Sequence, residues 1–175
     1  MFQFVYRMDL LYVCLLMLAL QAGWAFFCVK AKSRTFTGIN AELFCVSVVM
    51  ILYVTVFVRT SGGTYLTNLR PFATFAAARR QRELYRAMLM NVFLFFPLGL
   101  TLSNALPQKW SRWRRVALTT LLGCALSIGI EYAQYRFSLG MTETDDVICN
   151  TLGAFLGACS LLIAYAVERR QRKQK

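Results

Sequence analysis

The sequence predicts an all-α, polytopic membrane bundle of about five transmembrane helices with one long, partly re-entrant or interfacial connection, on three observations. First, 58% of the 175 residues are apolar, above the roughly 45–50% of ordinary soluble domains. Second, apolar windows long enough to cross about 30 Å of hydrocarbon recur at residues 10–29, 43–58, 87–105, 116–135 and 147–167. Third, the excess of positive charge, +12 at neutral pH, is gathered between and beside those windows rather than spread along them. The whole of 1–175 is therefore expected to be a single integral membrane domain.

The first window has a secretory-signal look, with Arg7 ahead of it and the small residues Gly23 and Ala25 near its end. Its apolar run nevertheless continues through Phe26, Phe27 and Cys28 to Lys30, Lys32 and Arg34, which reads as a retained helix with a basic flank. The third window carries Asn91 near one end, and Pro97 and Gly99 are expected to loosen its hydrogen-bond ladder and turn carbonyls inward.

Only the connection over 59–86 is long. It opens with Ser61, Gly62 and Gly63, passes through Asn68, Leu69, Arg70, Pro71 and Phe72, and ends in a run containing Arg79, Arg80, Arg82 and Arg86. Pro71 blocks a continuous helix, and the spaced apolar positions Leu66, Leu69, Phe72 and Phe75 suit a segment lying at the membrane surface. The 106–115 connection interleaves Trp110 and Trp113 with Lys109, Arg112, Arg114 and Arg115. Between two spans this pattern anchors a chain at the headgroups, so nucleic acid is not an expected partner and membrane lipids are.

Cationic residues set the expected orientation. Lys30, Lys32, Arg34, Lys109, Arg112, Arg114, Arg115, Arg169, Arg170, Arg172, Lys173 and Lys175 fall on one side. Arg7, Arg59, Arg70, Arg79, Arg80, Arg82, Arg86 and Arg136 fall on the other. The more basic side belongs inside, which places the N-terminus outside and the C-terminus in the cytoplasm of a multi-pass cell-membrane protein. The 79–86 cluster opposes this assignment.

The chain has no histidine, which removes the usual zinc sites and every serine–histidine or cysteine–histidine catalytic pair. Six cysteines, Cys14, Cys28, Cys45, Cys124, Cys149 and Cys159, lie in or beside apolar spans without a C-x-x-C spacing and read as small hydrophobes. No cofactor or metal is expected.

Chemistry concentrates between residues 127 and 157. A charged side chain near the bilayer centre costs about 2.5–3.5 kcal/mol even on lenient scales, so Glu131 is expected to face protein or a watery cavity. Gly123, Ser127, Glu131 and Gln134 share one helical face, and Asp146, Asn150, Gly153 and Gly157 share another. A short link joins the two helices, so they are expected to be antiparallel neighbours with the stripes in contact. Glu131 lies about 7–8 Å inside Arg136 along the helix axis, and Asn91, Glu131, Gln134, Asp146 and Asn150 can then share one pocket. Arg70 is the expected counter-charge, with Arg136 second. Plainer roles stand beside these: Asp145 caps a helix start, and Gly153-x-x-x-Gly157 packs helices closely.

At these residues the chain resembles the VanZ-like family of membrane proteins, over about 68–157. The resemblance rests on N-L-R-P-F (Asn68, Leu69, Arg70, Pro71, Phe72), N-x-x-x-F-x-P-x-G (Asn91, Phe95, Pro97, Gly99) and S-x-x-x-E-x-x-Q (Ser127, Glu131, Gln134). A T-E-x-D-D-x-x-x-N-x-x-G-x-x-x-G run from Thr142 to Gly157 completes it. Family members are expected to carry a basic residue just before the last run, where this chain has Gly140 and Met141; Arg136, a turn earlier, is the substitute. The resemblance implies reduced susceptibility to teicoplanin-type glycopeptides without synthesis of an altered peptidoglycan terminus.

The leading expectation is thus a non-enzymatic protein that binds a polar headgroup, of a cell-wall precursor or a lipoglycopeptide, through Glu131, Gln134, Asp145, Asp146, Asn150, Asn91 and Arg70. The alternative is an intramembrane enzyme using Glu131 and Asp146 as acid and base, or as oxygen ligands of a divalent cation, on a lipid-linked substrate. A third reading has the polar stripe only fixing helix packing.

Overall fold

A computed structural model describes residues 33–57, 59 and 67–173, together with Ala19 and Gly23; the first predicted span lies almost wholly outside the described residues. Helix α1, Ser33–Leu52, continues through a π-helical turn, Tyr53–Phe57. A short α2, Ala73–Ala78, precedes the long α3, Arg82–Ala105, and α4, Arg112–Phe137. Helices α5, Thr144–Ala158, and α6, Ser160–Lys173, follow end to end. Among the described residues four stretches are long and apolar enough to cross a membrane: Phe36–Phe57, Arg82–Ala105, Arg112–Phe137 and Thr144–Val167. With the described residues almost all helical, the all-α membrane architecture stands.

Helix α1 begins well before its apolar window, and its polar side chains, Asn40 ahead of the window and Ser47 and Thr55 within it, bond to their own helix's backbone. The Asn40 amide donates to the Phe36 carbonyl at 2.7 Å, Ser47 to Leu43 at 2.8 Å and Thr55 to Ile51 at 2.7 Å. Polar groups satisfied within the helix no longer oppose an apolar setting. Helix α3 runs unbroken through Pro97, and the Pro97 carbonyl accepts the Thr101 hydroxyl at 2.8 Å.

Helix α3 is the central element. Of its apolar window 61% is buried, against 22%, 33% and 39% for the other three spans, so those present the lipid-facing side chains: Val49 and Met50 on α1, Leu121 and Ile128 on α4, Phe155 and Ile163 on α5 and α6. Ile51, Phe95, Leu98, Ile130 and Ala154 form the main core cluster.

The α3–α5 pair is the most extensive helix contact, and glycine makes it so. A Cβ on Gly153 would overlap the Val92 carbonyl oxygen, one on Gly157 the Phe96 carbonyl oxygen, and one on Gly99 the Ala154 carbonyl oxygen. Backbones therefore touch directly, as small-x-x-x-small motifs allow in membranes. Gly153 and Gly157 thus turn toward α3, which corrects the expectation that their stripe faces α4 throughout.

At the 106–111 end, Ser111 caps α4 by accepting the Arg114 amide at 3.3 Å. The Arg114 and Arg112 guanidinium groups lie over the rings of Trp110 and Tyr165, and Trp113 is exposed, as headgroup anchors would be. Arg115 differs from its neighbours. It is buried, and its Nε donates to the Ser103 carbonyl at 2.9 Å, tying α4 to α3. Arg115→Ala should therefore lower the melting temperature in detergent by the equivalent of about 1–3 kcal/mol, the cost of a buried acceptor left unpaired, whereas Arg114→Ala should barely change it.

Candidate functional site

The opposite end of the bundle gathers the polar residues. Helix α4 stops at Ser138, whose φ of 52° is left-handed, and Leu139 N–H closes the end on the Gln134 carbonyl at 2.9 Å. Gly140, at φ 134°, completes the reversal that no side-chain-bearing residue adopts easily. Thr142–Glu143 then pairs in parallel with Thr67–Asn68, Thr67 opposite Thr142 and Asn68 opposite Glu143. This two-residue ladder joins the start of the N-L-R-P-F run to the start of the T-E-x-D-D run. Two residues carry no periodicity to read in a sequence.

Adjacent aspartates diverge from this ladder. Asp145 is 1% exposed and accepts the Phe72 N–H at 2.6 Å and the Thr74 N–H at 2.7 Å. It is a cap, as expected, but of α2 and not of its own helix. The Thr74 hydroxyl also reaches the Glu143 carboxylate at 3.4 Å. Asp146 points the other way, to a hydrogen bond with the Asn91 amide on α3.

Glu131 is buried, and its Oε2 accepts the Glu143 N–H at 3.0 Å, while Thr142 donates to the Glu131 carbonyl at 3.4 Å. The Asp146 charge acts on Glu131, and the cation acting on both is Arg59. The Arg59 guanidinium lies beside Gly140, where an added Cβ would stand 3.0 Å from it. Arg59, exposed like Arg70 and Arg136, thus lies next to the residues just ahead of T-E-x-D-D and acts on both carboxylates, the counter-charge role expected of Arg70 or Arg136. The sequence does contain Arg59, at the end of the second apolar window, where a cation is ordinarily read as an interface anchor.

Gln134 lies on α4 with Glu131, and Asn150 on α5 with Asp146. Asn150 donates to the Ser127 hydroxyl at 2.9 Å, so the α4 and α5 stripes do meet there. Gln134 instead donates to the Thr55 carbonyl at 3.1 Å, in the π-helical turn that ends the Phe36–Phe57 span, where carbonyls lack partners within the helix. Both amides are almost wholly buried, and the Gln134 Oε1 and Asn150 Oδ1 atoms have no hydrogen-bond partner. Glu131 and Asp146 are thus brought within electrostatic reach of one another, with Asn91 on Asp146, while Asn150 meets Ser127, Gln134 meets Thr55, Asp145 anchors α2 and Arg70 is exposed. No three histidine, cysteine, aspartate or glutamate side chains among the described residues are grouped to hold a metal ion.

The chain is 34% identical over 91 residues to Protein VanZ of Enterococcus faecium, a match covering 52% of this chain and 51% of that protein. It thus spans about half the length of that relative. No solved structure matches the chain. Each run that carries the resemblance finds its contacts in another of them: Asn68 with Glu143, Asn91 with Asp146, Ser127 with Asn150, and Gly99 with Ala154. The VanZ/LLP1 family model matches residues 43–165, which takes in every element just described except the first half of α1 and the second half of α6, and the chain belongs to that family.

Proposed function

We propose that the chain lowers susceptibility to teicoplanin-type glycopeptides by binding a polar headgroup, of a lipid-linked cell-wall precursor or of the lipoglycopeptide itself, at the end of the bundle holding Glu131 and Asp146. One observation carries this reading. Two carboxyl groups on separate helices lie within electrostatic reach of one another and of a single guanidinium from a third segment, Arg59. A group with both donors and an anionic centre finds acceptors in the carboxylates and in the unpartnered Gln134 and Asn150 carbonyls, and a bidentate donor in Arg59. The excess of cationic residues at the other end supports an outward-facing site, with the C-terminus in the cytoplasm.

Glu131→Gln separates charge from architecture, because glutamine retains an oxygen to accept the Glu143 N–H. In a susceptible bacterium expressing the chain, teicoplanin resistance should fall to the empty-vector level while membrane abundance stays at wild type. Full resistance in this variant defeats the binding reading. Resistance and abundance falling together would instead mark the stripe as packing alone. Turnover of a labelled lipid precursor by purified protein, abolished by Asp146→Asn, would turn the assignment toward an enzyme.

A further inference from the structure

A groove of about 440 Å³ opens between α2, α3 and α5, lined by Phe75 and Ala78 of α2, Leu89 and Val92 of α3 and Leu152 of α5, with Arg79 at its edge. Its volume falls within the roughly 300–1,000 Å³ of small-molecule sites. We propose that it holds an acyl chain of an anionic phospholipid whose phosphate is bound by Arg79.

The chemistry leaves little else. A polar ligand entering between these apolar walls would give up its hydrogen bonds to water without replacement, so the occupant must be hydrocarbon along the groove. Arg79 is its one charged lining residue among the described ones, and it is exposed, as are Arg80 and Arg82 just beyond it. A guanidinium offers phosphate a planar two-point donor, and adjacent arginines attract an anionic headgroup. The surroundings place this groove at headgroup depth: α2 lies at the bundle end, and Leu69 and Phe72 beside it are 68% and 61% exposed, as side chains dipping into a membrane interface are. The inference does not rest on the carboxylates and amides of the proposed site, because Asp145 and Cys149 face the α2 side of α5 while Asp146 and Asn150 face away from it.

Native mass spectrometry of the full chain in uncharged detergent, with equal amounts of dioleoyl phosphatidylglycerol and dioleoyl phosphatidylcholine, tests it. Wild type should retain the anionic lipid about fivefold more, the equivalent of about 1 kcal/mol for one arginine at a membrane surface. Arg79→Gln should erase that preference and Arg170→Gln, at the other end of the bundle, should keep it. Ala78→Trp fills the groove and should reduce retention of both lipids. Should that variant misfold, dihexanoyl phosphatidylglycerol on wild type replaces it, and its retention should fall well below that of the dioleoyl lipid. Equal retention of the two headgroups by wild type, or of short and long chains, overturns the proposal. Glu131→Gln should leave retention unchanged, so failure of the resistance reading and failure of this one are distinguishable.

Discussion

Gly153→Ala is expected to leave little folded protein in the membrane, and the same single-carbon addition at Gly129 to leave the protein intact. The first Cβ would land on the Val92 carbonyl oxygen, with the Val92 carbonyl carbon only 2.9 Å away. Those are backbone atoms of α3, the most buried span, and no rotamer change relieves the overlap. Either α5 lifts away from α3 or α3 bends, and both separate Ala154 from Gly99 and Gly157 from Phe96. Overpacking of this kind costs about 3 kcal/mol or more, a large share of the marginal stability of a folded chain. Gly129 lies exposed on α4 with open space where its Cβ would be, and alanine there should stabilise the helix by up to about 1 kcal/mol. Thermal denaturation of detergent-solubilised protein compares the two. Equal melting temperatures would mean that α3 and α5 do not approach as closely as these glycines require.

What the sequence disclosed and what it withheld divide along physical lines. Apolar windows reveal spans because burial in hydrocarbon is a property of composition, and the later spans emerge within a few residues of their windows. The start of α1 lies ahead of its window because Asn40 looks unfit for lipid until its bond to Phe36 is known. Helical spacing placed Ser127, Glu131 and Gln134 on one face, and Asn150 does meet Ser127 across α4 and α5. Spacing does not say which neighbour each residue of a face meets. A single stripe on a helix surrounded by others is divided among them, so Gln134 reaches the π-helical turn after α1, while Gly153 and Gly157 press on α3. Arg59 was overlooked for a related reason: its partners lie on α4 and α5, far along the chain, and only folding brings a residue at a span terminus over Gly140.

Asp145→Ala should detach α2 from the bundle while the spans remain assembled. Phe72 has φ 64°, a left-handed conformation that costs a bulky residue about 1–3 kcal/mol and persists only where surroundings enforce it. Asp145 is the enforcement: it bonds the N–H groups of Phe72 and Thr74 on either side of Ala73, so one carboxylate fixes both the strained residue and the helix start. Two bonds to a buried charged group are together worth about 3–5 kcal/mol, and removing them leaves two donors unpaired as well as the strain. The loss is local, because α3 and α5 stay joined through their glycines. Trypsin should therefore cut at Arg79, Arg80 or Arg82 at least about tenfold faster than in wild type, as expected when local opening becomes easier by about 1.4 kcal/mol or more, with a smaller fall in melting temperature than Gly153→Ala produces. Asp145→Asn should lie between, since its amide keeps one acceptor and sets a donor against the other N–H. Adding Phe72→Gly to Asp145→Ala should recover part of the protection, because glycine adopts φ 64° without strain. A wild-type cleavage rate in Asp145→Ala would mean that α2 is held by its apolar face alone, whereas the expected release would also remove the wall that Phe75 and Ala78 give the groove, and lipid retention should fall with it.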